Sequence, residues 1–95
     1  MVLEIAMAAP EAWALDSVTD LHEAQVELVE RGFKVSVDAY RPVEAPTEVR
    51  WMLKATEDVA VPQHPPVECT VGDRLVLAVG VLRRMTADEF AAVQA

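Results

Sequence analysis

The sequence predicts an α+β domain, in which one long amphipathic helix packs on a mainly antiparallel sheet of about four to five strands and a short helix follows at the C-terminus. Three observations predict this fold class. Apolar residues recur with helical spacing over residues 10–31, they alternate in short runs from residue 33 onward, and a capping motif opens a last apolar segment at residue 86. The chain of 95 residues has the size of one domain.

The main helix is predicted near the N-terminus. Residues 2–7 alternate in polarity, which predicts a short strand there, or else the first turn of the helix. The helix itself is predicted over residues 10–31, because one apolar phase persists along it. A second interpretation is that a helix restarts near residue 18, with Ser17 or Thr19 as its cap. Gly32 should end the helix with a positive φ.

One side of this helix is apolar over an arc of ~160°, and it consists of Leu15, Val18, Leu21, Val26, Leu28 and Val29. Two polar residues, His22 and Gln25, lie on the same side. Gln25 belongs to a short heptad-spaced seam, where a polar residue can set register or pairing state. The alternative is that its amide bonds a neighbouring backbone group at the boundary of the core.

The opposite side of the helix carries an acidic row within an arc of ~80°, formed by Asp16, Asp20, Glu23, Glu27 and Glu30. The row is interpreted either as a solvated face or as a contact for a basic surface. Trp13 falls beside the row near Arg31. It is predicted to be an exposed interface anchor, or to lie under the N-terminal strand.

Two alternating runs follow the helix and predict a hairpin of residues 33–41 and 48–57, with prolines in the loop between them. The alternation turns eight side chains outward: Lys34, Ser36, Asp38, Tyr40, Arg50, Met52, Lys54 and Thr56. Three of them are bases and one is an acid. The sequence therefore predicts a locally basic sheet face on an acidic chain.

The rest of the chain predicts a second hairpin and a helix. Residues 62–66 are rich in proline and form an extended connector. Residues 67–71 and 74–82 flank a Gly-Asp pair, which predicts a two-residue turn between two strands. Thr86 and Glu89 form a capping box for a helix over residues 86–94. The core is expected to join Leu21, Leu28, Phe33, Val35, Val37, Trp51, Leu53, Leu75 and Leu77.

Composition narrows the function classes. The net charge of −8 disfavours direct binding to nucleic acid or to an anionic membrane. The chain shows neither a signal peptide nor an apolar run long enough for a membrane helix, so a cytoplasmic place or one within a soluble assembly, such as a virion, is expected. One cysteine excludes an internal disulfide.

The sequence contains no recognisable catalytic or ligand-binding motif, which predicts a protein that is not an enzyme and uses no metal and no cofactor. Three separated glycines cannot build a phosphate loop. Cys69 and His64 fall short of the four ligands of a structural zinc site. Cys69 alternates with Val67 and Val71, so its thiol should point inward and be unreactive.

The remaining hypothesis is a non-enzymatic protein–protein interaction or assembly subunit that forms oligomers or joins a complex, with itself or another subunit as its partner. The order helix, antiparallel strands, helix resembles that of small neck and tail-completion proteins of tailed phages, a likeness that covers most of the chain and involves no motif. The alternative is an acidic inhibitor that mimics nucleic acid and blocks a DNA- or RNA-processing enzyme. The candidate interface comprises Trp13, Asp16, Asp20, Glu23, Glu27, Glu30, Lys34, Tyr40, Arg50, Met52 and Lys54.

Overall fold

The computed structural model describes residues 10–94 and confirms the α+β class. The elements in chain order are β1 (Glu11–Ala14), α1 (Val18–Glu30), β2 (Phe33–Tyr40), β3 (Arg50–Glu57), β4 (Val67–Thr70), β5 (Asp73–Ala78), β6 (Val81–Thr86) and α2 (Ala87–Gln94). The strands described form two antiparallel three-stranded sheets rather than one sheet of four or five strands. The strand predicted at residues 2–7 lies outside the described residues.

The larger sheet, which contains the two eight-residue strands, has the order β2-β3-β4, so β2 is an edge strand among the residues described. Its β2–β3 hairpin pairs Phe33 with Glu57 and Tyr40 with Arg50, as the alternating runs predict. β4 extends this sheet by pairing with β3, with Cys69 opposite Leu53. The smaller sheet has the order β1-β5-β6.

The helix prediction for residues 10–31 was wrong over its first third. Residues 11–14 form β1, which pairs with β5, and α1 begins only at Val18. The alternative start holds, because the Ser17 hydroxyl accepts a hydrogen bond from the Asp20 amide at 3.2 Å. The predicted end is confirmed: Gly32 has a φ of 92°, which only glycine adopts without strain.

The second hairpin was also predicted wrongly. β4 and β5 belong to different sheets, and β5 instead pairs with β6 across a turn at Val79 and Gly80. The Gly-Asp pair leads the chain from one sheet to the other. There the Asp73 carboxylate accepts the Thr70 amide at 2.8 Å, which keeps the connection tight. The predicted capping box of the last helix is present, with bonds of 3.1 and 3.2 Å between Thr86 and Glu89.

The core lies between α1 and the inner faces of the two sheets. Its fully or nearly buried side chains are Leu15, Leu21, Ala24, Leu28, Phe33, Leu53, Ala55, Cys69, Leu75 and Leu82. The other predicted core residues, Val35, Val37, Trp51 and Leu77, pack against this cluster and are partly buried. Val26 and Val29 do not belong to the core, since their exposed fractions are 60% and 54%. The buried stripe of α1 is narrower than predicted because the helix touches its neighbours with one face only.

Candidate interaction surface

The acidic row on α1 is partly engaged inside the molecule. Asp16 pairs with Arg74 at 2.9 Å, and the Asp20 carboxylate accepts the Asp16 amide at 3.0 Å. Glu27 accepts the indole N–H of Trp13 at 2.7 Å. Glu23 and Glu30 are exposed. Two of the five acids, Glu27 on α1 and Asp16 just before it, thus bond the smaller sheet.

Trp13 is a half-buried part of a polar cluster rather than a free anchor. The Arg31 guanidinium stands 5.4 Å from the centre of the Trp13 ring and donates to the Glu27 carbonyl at 2.7 Å. The same guanidinium forms a two-bond ion pair with Glu11, whose Nε–Oε1 distance is 2.8 Å. This ion pair lowers the pKa of the Glu11 carboxyl. The cluster fastens β1 to the C-terminal end of α1.

The outer face of the β2-β3-β4 sheet carries mixed charge. Lys34, Tyr40, Arg50, Met52 and Lys54 share this face with Asp38, and β4 adds Glu68 opposite Lys54. The Arg50 guanidinium forms ion pairs with Glu48 at 2.9 Å and with Glu44 at 3.5 Å. Three bases therefore stand against two acids on the strands and two in the loop. The face is less basic than the sequence predicted, because the prediction paired β4 with β5 and so left Glu68 off this sheet.

The outer edge of β2 is the first surface feature that the candidate interface predicted from the sequence does not include. The Gly32 carbonyl accepts the Asp58 amide at 3.1 Å, so the even-numbered residues of β2 turn their backbone groups toward β3. The odd-numbered residues turn theirs outward. Only the Val35 carbonyl has a partner there among the described residues, namely the Gln25 side chain at 2.9 Å. Gln25 therefore bonds a neighbouring backbone group, which was the alternative to a register-setting role.

The second missed feature is the flank of α1 beside this edge. Gln25 marks the flank of the helix that borders the edge, and a rotation of ~100° per residue places His22, Val26 and Val29 farther round on that flank. All three are exposed, and the His22 ring meets Trp51 edge-on at 6.0 Å. We call the outer edge of β2 together with His22, Val26 and Val29 the edge surface.

A groove of about 430 Å³ opens near the N-terminal end of α1. Its lining is mainly apolar and consists of Val18, Tyr40, Val49, Arg50, Trp51, Thr70 and Val71. Of the predicted interface residues, Tyr40 and Arg50 contribute to it. The groove could receive an apolar side chain, but nothing in its lining selects a particular ligand.

Cys69 and His64, the two residues considered for catalysis, lie apart and each has a structural role. Cys69 is fully buried, and burial, with a further contribution from the Asp73 charge, raises the pKa of its thiol to about 12. His64 bonds the carboxylate of Glu57, which also accepts the Gln63 amide at 2.9 Å, and these bonds lower the pKa of Glu57. Within residues 10–94, no three histidine, cysteine or acidic side chains cluster as a metal site would require.

Comparison with protein-family models, with curated proteins and with solved structures found no match for this chain. Neither of the two helices described is both long and apolar enough to cross a membrane. The surface itself is therefore the basis for a functional conclusion.

Proposed function

We propose that the protein is a non-enzymatic assembly subunit that binds another protein chain through the edge surface. One observation supports this most: Val26 and Val29, at 60% and 54% exposure, stand beside an eight-residue strand whose outward backbone groups at Val37 and Ala39 have no partner among residues 10–94. Exposed apolar side chains next to an open strand edge are typical of a surface that another chain covers.

The chemistry of the edge suits a protein partner. Outward N–H and C=O groups of Val37 and Ala39 can form ladder hydrogen bonds with an added strand. Val26 and Val29, which lie above this edge, offer an apolar surface to the side chains of the added strand. Membership of a phage neck or tail stays a prediction from element order.

The alternative, an acidic mimic of nucleic acid, has weaker support from the side-chain contacts. A mimic must present its carboxylates to a basic groove, whereas Asp16 and Glu27 are bonded to Arg74 and Trp13 of the same chain. Glu23 and Glu30 would have to supply most of the contact.

Photo-cross-linking in cells that naturally produce the protein tests the proposal. Val29→benzoylphenylalanine should give a covalent protein adduct of one defined mass. Val43→benzoylphenylalanine is the matched control, because Val43 is 96% exposed in the β2–β3 loop, away from the edge surface. The adduct at position 29 should disappear when Val26→Glu is added. Absence of any protein adduct at position 29, or equal adducts at both positions, would contradict the proposal.

A further inference from the structure

We propose that the partner at the edge surface is a second copy of this chain, with the two β2 strands antiparallel about a two-fold axis at Ser36. This inference rests on the proposed function and names its partner. The two β2-β3-β4 sheets then join into one continuous sheet, and the two α1 helices lie side by side on the same face.

The backbone of β2 permits this pairing. Val35 and Val37 both turn their N–H and C=O groups outward, so Val35 of one copy can exchange two hydrogen bonds with the Val37 position of the other. Gln25 does not prevent this, because the Val35 carbonyl has a second lone pair. The pairing would satisfy outward groups that have no partner among residues 10–94.

The charges on the outer face select the register. With Ser36 opposite itself, Lys34 of each copy stands directly opposite Asp38 of the other, which gives two symmetric pairs of opposite charge. With the axis at Val35, Lys34 faces Ser36 instead. With the axis at Val37, Lys34 faces Tyr40, and Asp38 faces Ser36. Of these three registers, only the axis at Ser36 is self-complementary in charge.

The helices fit the same symmetry. Gln25 reaches Val35, next to the proposed axis, so Val26 and Val29 stand close to its level. The two-fold axis turns these flanks toward each other and would cover the exposed valines. At ~100° per residue, Glu30 and Glu23 lie ~40–60° beyond Val26 on the solvent side of the helix, so these acids stand at the rim of the contact.

Disulfide trapping tests the register. Opposite residues of a non-hydrogen-bonded antiparallel pair have Cα atoms about 4.5 Å apart, within the disulfide range. Ser36→Cys should therefore form a covalent dimer under mild oxidation. Lys34→Cys and Asp38→Cys are matched controls, because each is displaced from its own copy by four residues, about 13 Å. Neither should cross-link alone, but an equal mixture of the two should. The buried Cys69 leaves the background clean.

Exchange of the two charges provides an independent test that needs no introduced cysteine. Lys34→Asp and Asp38→Lys should each weaken dimerisation on the order of tenfold in sedimentation equilibrium, because both symmetric pairs become repulsive. The double exchange should restore it. Circular dichroism checks that each variant is folded.

The possible failures can be told apart. A Ser36→Cys protein that stays monomeric overturns the self-pairing, and so does cross-linking of Lys34→Cys alone. If the adduct at position 29 then contains a different protein, the proposed function stands with another partner. If position 29 gives no adduct either, both proposals fall.

Discussion

Replacing Val79 by asparagine should stabilise the protein. Val79 has a φ of 52°, and it is the single residue other than glycine with a positive φ in the part of the chain that the structure describes. This conformation costs a residue with a Cβ atom roughly 1–2 kcal/mol, and a β-branched side chain is especially disfavoured there. With Gly80 at a φ of 73°, Val79→Asn creates an Asn-Gly pair, the preferred sequence of a two-residue hairpin turn.

The size of the effect follows from the exposure of the side chain. Val79 is 78% exposed, so the substitution loses about a fifth of the ~1.5–3 kcal/mol that full burial of valine contributes, or roughly 0.3–0.6 kcal/mol. The net gain in unfolding free energy should be about 0.5–1.5 kcal/mol. A gain of about 1 kcal/mol raises Tm by roughly 4–8 °C in a domain of this size.

Urea unfolding followed by the fluorescence of Trp13 and Trp51 measures this gain. Val61→Asn is the matched control, because Val61 is 80% exposed and has no positive φ. It should leave the unfolding midpoint almost unchanged. If Val79→Asn shifts the midpoint no more than Val61→Asn does, the turn stores no strain and the reasoning fails.

Four further outcomes are expected. Leu28→Ala should lower the unfolding free energy by about 2–5 kcal/mol, because Leu28 is fully buried; a loss below about half a kilocalorie in urea unfolding would mean that α1 docks by another face. A thiol reagent at pH 8 should modify Cys69 only in unfolded protein, since its pKa is raised to about 12, and rapid labelling of folded protein would disprove this. The pKa values of Glu11 and Glu57 are lowered in the folded protein, so their ion pairs add stability that is fully present above the ordinary pKa of 4.5 and is lost as pH falls through the lowered values. The double variant Glu11→Gln, Glu57→Gln should therefore lose less unfolding free energy over that pH range, and an unchanged dependence of unfolding free energy on pH would count against this. Raising salt from about 0.05 to 0.5 M should change self-association little, because it screens both the repulsion between copies of charge −8 and the attraction within the two Lys34–Asp38 pairs; a contact between acidic row and sheet face would weaken steadily, so sedimentation at both salts separates the two.

Features set by neighbouring residues were predictable from the sequence. The end of α1 at Gly32 and the capping box at Thr86 depend on backbone conformation and bonds within one turn. The β2–β3 hairpin was predictable as well, because each strand is long enough to show clear alternation.

Features set by distant residues were not predictable. β1 has only four residues, and it pairs with β5, so that Ala14 stands opposite Arg74, a residue far away in the sequence. Leu15 is buried at the end of β1, and its spacing also fits the apolar phase of α1, so the phase could not show where the helix begins. The ion pair of Asp16 was not predictable for the same reason, since its partner Arg74 lies 58 residues later.

The apolar side of α1 carries His22 and Gln25 because this side borders the core and the strand edge at once. A helix above the middle of a sheet could be apolar across its whole inner side. α1 lies over β2 and β3 with one flank at the edge of β2, so part of that side meets outward backbone groups, which only a polar side chain can satisfy. Gln25 does so for the Val35 carbonyl, and the next outward groups, those of Val37 and Ala39, have no partner within residues 10–94. A chain that closed its edge entirely would need more such side chains, whereas valines follow on this flank, which suits an edge that a second chain completes.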